Sequence, residues 1–325
     1  MNRVDLFRCS SIGVLLTVIG CSSPVLNETD TLVIENSSTT QSLQIDGLKH
    51  CNNENDATIN VNPDEPLTVI VHGCFSSAGR FRTLADVYSL HDQQAICFEY
   101  NDRDSLEKAS GELVSALNQL SQQNPQQSLH VIGHSQGGLI SRRALTAERE
   151  DQKAVNTEQL QLTTVSAPFN GINASSHCGI TSLRILSLGI VDLICYAVTG
   201  EKYQQIPPNV EFIQQPGSLL SSVSQHVVIK TDERNQCRHV DESGECVEDD
   251  YVFSVSEQTN QNVDGAGQVS TVTVAAGHVE IVGNGQSVPT DLITILKEKN
   301  LLVDKKGVDD LQQARRIKAL YLPQR

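Results

Sequence analysis

Leu129-His130-Val131-Ile132-Gly133-His134-Ser135-Gln136-Gly137-Gly138-Leu139-Ile140 is the stretch on which the fold turns. Its first four residues are a short apolar run suited to a buried strand, and from Gly137 to Glu150 the pattern reads as a helix. Between them stands Gly133-His134-Ser135-Gln136-Gly137, a match to G-x-S-x-G. The bare pattern weighs little in a chain with 21 glycines. Its place between a strand and a helix weighs much more. A serine on such a turn projects its hydroxyl, and the residues two before and two after it must lack bulk. The helix starting beneath it favours the negative charge that forms during acyl transfer.

On either side of this turn, strand-like and helix-like blocks alternate. Leu67–Val71 and Ala95–Tyr100 read as strands. Asp104–Gln122 reads as a helix with Leu106, Leu113, Leu117 and Leu120 on one face and Asp104 placed to cap it. Leu160–Val165, Val227–Ile229 and Val269–Val274 are further strands, and Pro289–Lys299 is a late helix. Such alternation predicts an α/β fold, one domain built on a mostly parallel sheet with helices on both faces. The stretch 171–217 breaks the rhythm. Its apolar run Leu183–Ile194 is expected to be a cap helix over a pocket, or else a helix covering the sheet; Arg184 and Asp192 argue against a membrane span.

Taken in order, these pieces resemble the α/β-hydrolase superfamily, especially its lipases and esterases, from about Leu67 to Leu296. Val71-His72-Gly73-Cys74-Phe75 is similar to that family's oxyanion loop, and Val165–Gly171 to the strand end that follows its nucleophile helix. The resemblance implies Ser135 as nucleophile and the backbone N–H groups of Gln136 and Cys74 as the oxyanion hole, with Phe75 as the fallback donor. It also implies the triad order Ser, acid, His. His177, His226, His239 and His278 follow Ser135; His278, just past the strand Val269–Val274 and before the last helix, has the place of the base. The segment Glu248–Ser256 resembles a lipase D-x-x-V segment, whose register selects Asp249, with Asp250 and Asp232 as the other choices. The implied chemistry is carboxylic-ester hydrolysis through an acyl-enzyme, without metal or organic cofactor. Another acyl bond (thioester, amide or phospholipid ester), or a non-catalytic protein retaining the fold, are the competing expectations.

Composition narrows the partners. The chain has 325 residues and a net charge of −15, which argues against a nucleic-acid surface. Zinc-type cysteine pairs, a P-loop and G-x-G-x-x-G are missing from the sequence. At the N-terminus, Arg3 and Arg8 precede an apolar run, Ile12–Gly20, too short to span a bilayer. Val18-Ile19-Gly20-Cys21 resembles the bacterial lipobox. That resemblance implies a signal peptide over residues 1–20, lipid on Cys21, and, with Ser22 following, anchorage at the outer membrane. An ordinary secretory signal cut nearby, or a buried N-terminal helix, is the other reading. Residues 21–44, rich in Ser, Thr, Asn and Gln, are expected to be a tether, leaving 45–325 as the catalytic domain. Export makes sense of nine cysteines. Cys237 and Cys246 bracket an acidic loop and are expected to pair; Cys178 and Cys195 flank the cap helix and could form a second bridge. Cys51, Cys74 and Cys97 are left unpaired by the sequence.

Overall fold

The computed structural model describes residues 40–149, 151, 154–175, 200–283, 287–305 and 307–322. The leader, Cys21 with its expected lipid, most of the tether, the apolar run 183–194 and the pair Cys178 and Cys195 lie outside the described residues.

The described strands are β1 (Gln41–Gln44), β2 (Leu48–Lys49), β3 (Thr58–Val61), β4 (Leu67–Val71), β5 (Gln94–Phe98), β6 (Leu129–His134), β7 (Leu160–Val165), β8 (Val223–Thr231), β9 (Cys237–Val240), β10 (Cys246–Asp249) and β11 (Val269–Val274). Seven of them form one sheet in the order β11-β8-β7-β6-β4-β5-β2. All neighbours in it are parallel except β2, which runs antiparallel to β5. The fold is an α/β-hydrolase fold, as the resemblance implied.

Burial on both faces explains the largely apolar β4 and β6, in which every residue is buried, Thr68, His130 and His134 included. Leu67, Val69, Val71, Leu129 and Val131 pack into one core with α2 (Leu106–Gln123) and α3 (Gln136–Ala144). Ile70 and Ile132 pack into the other, with α1 (Arg82–Leu90) and the late helices Thr290–Glu298 and Asp310–Leu320. Each fully buried aliphatic side chain contributes roughly 1.5–3 kcal/mol relative to exposure. From β4 the chain first steps outward to β5 and then crosses to β6 on the other side. That reversal of strand order opens a crevice at the carboxyl ends of β4 and β6, where such sheets place their ligands.

Four local expectations need correcting. Helix α2 is capped by Ser105, whose side chain accepts the Lys108 N–H at 3.2 Å, while Asp104 instead pairs with the Lys108 ammonium at 2.6 Å. Helix α3 ends at Ala144 rather than Glu150, because Thr146 bridges to Leu219 and Arg142 donates to the Gly217 carbonyl at 2.8 Å. Residues 41–44 are no tether: they form β1, paired antiparallel with β3. Strand β8 is longer than expected and reaches Thr231, which brings the residues after it to the rim of the crevice.

The bridge Cys237–Cys246 forms as expected and closes the hairpin β9–β10. Cys51 pairs with Cys97, tying the loop after β2 to β5, and Cys74 is a free thiol.

Candidate active site

Ser135 sits at φ +56° and ψ −124°, between the last residue of β6 and the first of α3. For a residue with a side chain this conformation costs roughly 1–3 kcal/mol, so the surroundings must enforce it. They do so with backbone. The Ser135 N–H donates to the Val165 carbonyl at 2.8 Å, and the Gly138 N–H to the Ser135 carbonyl at 2.9 Å. A Cβ on Gly133 would lie 2.3 Å from the Gly137 carbonyl oxygen. One on Gly137 would lie 2.3 Å from that of Val71 and 2.4 Å from that of His72. The spacing of the two glycines around Ser135 is therefore a requirement of close approach between β4, β6 and α3.

His278 lies four residues past β11, and Nδ1 of its ring stands 2.8 Å from Oε1 of Glu233. Glu233, two residues beyond β8, is 1% exposed. Its Oε1 also accepts the Thr231 hydroxyl at 2.8 Å, and its Oε2 accepts the N–H groups of Val252 at 2.6 Å and Phe253 at 2.7 Å. Both carboxylate oxygens are thus fully engaged. The expectation that the acid is Asp249, Asp250 or Asp232 is corrected here: the carboxylate on His278 belongs to Glu233.

Each of the three aspartates has a different place. Asp249 is exposed on β10. Asp232 turns outward to Arg234, 2.7 Å from its Nε, and hydrogen bonding from that guanidinium holds its carboxyl below the usual range. Asp250 is buried, but it holds the loop rather than the ring. Its carbonyl accepts the His278 N–H at 3.0 Å, and its Oδ2 accepts the N–H groups of Val279 and Glu280, both at 2.9 Å. Its Oδ1 takes Arg238 Nε at 3.0 Å.

His134, immediately before Ser135, also braces His278. Its Nε2 lies 2.8 Å from the His278 carbonyl, and since a carbonyl only accepts, that nitrogen carries the proton. Burial drives the His134 imidazole well below the ordinary histidine range, so it stays neutral.

Ser135 and His278 line one cavity of about 600 Å³, with Gly73, Cys74 and Gln136 at one end and apolar walls that include Leu139, Ile172, Ile206 and Val252. Among the described residues no hydrogen bond joins Ser135 Oγ to His278. Such contacts often tighten when substrate binds. Gln136 opens α3, so its N–H belongs to the unpaired first turn of a helix. Phe75 is unsuited as a fallback donor, because its N–H is taken by Asp102 Oδ2 at 2.5 Å. Burial pushes the Cys74 thiol up, which keeps it protonated. Another cavity, of about 620 Å³, lies beside α2 and is lined by Asp46, Glu107 and Glu112 among others; neither Ser135 nor His278 reaches it. Among the described residues, no cluster of His, Cys, Asp and Glu is arranged to hold a metal ion.

Two residues of this site escaped the sequence reading. Glu233 adjoins Asp232 but points the opposite way. Lys202, on the turn Glu201–Gln204, reaches the oxyanion corner from a segment with no motif.

Residues 68–260, more than half of the chain, match the family model described as palmitoyl protein thioesterase. No curated protein matches the sequence. Among solved structures, a Bacillus licheniformis lipase in its propeptide form superposes with a TM-score of 0.51 at 12% identity. The match covers 81% of this chain and 55% of the lipase, so the chain spans about half of that protein's length. The mature form of the lipase gives 0.46 at 11% identity, covering 79% and 97%. Aspergillus fumigatus lipase B gives 0.43 at 18% identity, covering 80% and 57%. At these identities the likeness concerns the fold alone.

Proposed function

The chain belongs to the palmitoyl protein thioesterase family, and on that premise we propose that it is a serine hydrolase of acyl esters and thioesters. Ser135 is the nucleophile, His278 the base, and Glu233 the carboxylate that orients the base. One observation carries this reading: the strained serine and His278, whose ring is paired with Glu233, line the same cavity.

The steps follow from these positions. Nε2 of His278 takes the Ser135 proton as Oγ attacks the acyl carbonyl, and the resulting oxyanion is held by the N–H groups of Gln136 and Cys74. The imidazolium then protonates the leaving alcohol or thiol, which departs with the electron pair of the broken bond. A water deprotonated by His278 attacks the acyl-enzyme and releases the acid. Glu233 fixes the Nδ1–H tautomer and stabilises the imidazolium without itself being protonated.

Substrate class rests on two further supports. The apolar walls of the cavity suit the tail of a medium or long acyl group. The family match favours a thioester leaving group over an alcohol. A fluorophosphonate probe with mass-spectrometric site mapping, followed by octanoyl thioester and ester hydrolysis, tests the reading. Labelling should fall on Ser135, and Ser135→Ala should lower turnover by about 10⁴-fold or more. A wild-type protein left unlabelled beside a labelled control hydrolase would end the serine-hydrolase reading.

A further inference from the structure

Lys202 is 3% exposed, and its ammonium meets neutral acceptors only. It donates to Gln136 Oε1 at 2.6 Å, to Cys74 Sγ at 3.0 Å and to the Asp102 carbonyl. Burial keeps the Cys74 sulfur a thiol. The nearby Asp102 carboxylate accepts the Phe75 N–H and also bears on the Cys74 thiol to which Lys202 donates, although among the described residues no carboxylate forms an ion pair with Lys202. A buried ammonium whose neighbouring carboxylate makes no direct ion pair opposes folding, because its desolvation is only partly offset by Coulombic attraction. Such a group is understandable where a negative charge arrives later.

The acceptors show where. Gln136 and Cys74 are the two residues whose N–H groups form the oxyanion hole of the serine-hydrolase reading. Gln136 Nε2 also donates to the Asp102 carbonyl at 3.1 Å, and the Tyr100 hydroxyl to the His72 carbonyl at 2.8 Å. Lys202 thus cross-links the loop after β4, the loop after β5 and the first turn of α3 at one point. We propose that Lys202 is a positioning residue for acyl transfer: it fixes Gln136 and Cys74 in register, and its charge offsets the negative charge of the tetrahedral intermediate. Fixed charge of this kind acts most strongly in a site with little water and does not need to reorganise as the reaction proceeds. This rests on Ser135 being the nucleophile, which is tested separately by wild-type labelling.

Lys202→Met, which keeps length and removes charge, and Lys202→Arg, which keeps charge, are the informative variants. With an octanoyl ester, Lys202→Met should lower kcat about 10–100-fold and leave KM within about twofold. Affinity for an acyl trifluoromethyl ketone, which binds as an anionic tetrahedral adduct, should fall by the same factor as kcat/KM. Lys202→Arg should recover most of the rate. Stability separates this role from a purely structural one. Relief of a buried charge that lacks a direct ion pair should leave the urea midpoint of Lys202→Met equal to or above wild type. A kcat within twofold of wild type would overturn the inference. So would a lost rate accompanied by a lowered urea midpoint and no rescue by arginine. If wild-type protein labels at Ser135 and either result is found, this inference alone fails.

Discussion

Ser135 and His278 face one cavity, yet the structures that hold them differ in kind. Ser135 is held by main chain against main chain, with Gly133 and Gly137 packed so closely that neither could carry a side chain. His278 is held by carboxylates: Glu233 on its ring, and Asp250 on the two backbone N–H groups that follow it. The first arrangement leaves no space for one added carbon. The second depends on charge and hydrogen bonding, so its loss can be graded. A strained serine needs rigidity, whereas a base that shuttles protons needs a fixed tautomer and a steady electrostatic partner.

The largest effect should come from the side that leaves no space. Gly137→Ala places a methyl group 2.3 Å from the Val71 carbonyl, so β4 and α3 must separate. We expect at least about a 10³-fold loss of ester hydrolysis, or failure to fold seen by circular dichroism. Wild-type turnover in a folded Gly137→Ala protein would remove the close-packing account.

A smaller loss is expected on the carboxylate side. Asp250→Asn keeps an acceptor for the Val279 and Glu280 amides but removes the charge facing Arg238. Steady-state kinetics should show kcat lowered about 10–100-fold with little change in KM, since the base is displaced rather than deleted. An unaltered kcat would show that the loop holds His278 without Asp250.

A third prediction joins the halves through His134 and concerns stability rather than rate. Burial lowers the pKa of His134 well below its ordinary value, and those of His130 and His226 to about 3. The unfolded chain binds these protons near pH 6.5 while the folded chain does not. The stabilisation is therefore complete above about pH 6.5 and declines as pH falls toward the folded values, by at most about 1.4 kcal/mol per pH unit for each histidine. Urea midpoints should drop steadily from pH 7.5 to 5. A midpoint constant over that range would contradict the buried, neutral state of these rings.

How much of this was legible in the sequence follows the same division. The turn at Ser135 is encoded within five residues, so the strand, the elbow and the helix start could be read directly. His278 could be picked by its place after the last strand. Glu233 could not, because Asp232 and Glu233 are neighbours, and which of them turns inward depends on the Val252 and Phe253 amides about 20 residues later. The D-x-x-V register points instead to Asp249, exposed on β10 and one residue short of Asp250, the carboxylate that holds the loop. The Cys51–Cys97 bridge was hidden for a similar reason, since it requires β2 to lie against β5. Ser105 and Asp104 were both able to cap α2, and only the ion pair to Lys108 separates their roles.

The central claim is that His278 works with Glu233 to activate Ser135. The most direct test is the second-order rate of fluorophosphonate labelling at Ser135 in Glu233→Gln and Asp249→Asn proteins. Glu233→Gln should label at least about 10²-fold more slowly than wild type, since the ring loses its charged partner and its tautomer is no longer fixed. Asp249→Asn should label at the wild-type rate. Slow labelling of Asp249→Asn with unimpaired labelling of Glu233→Gln would contradict the account.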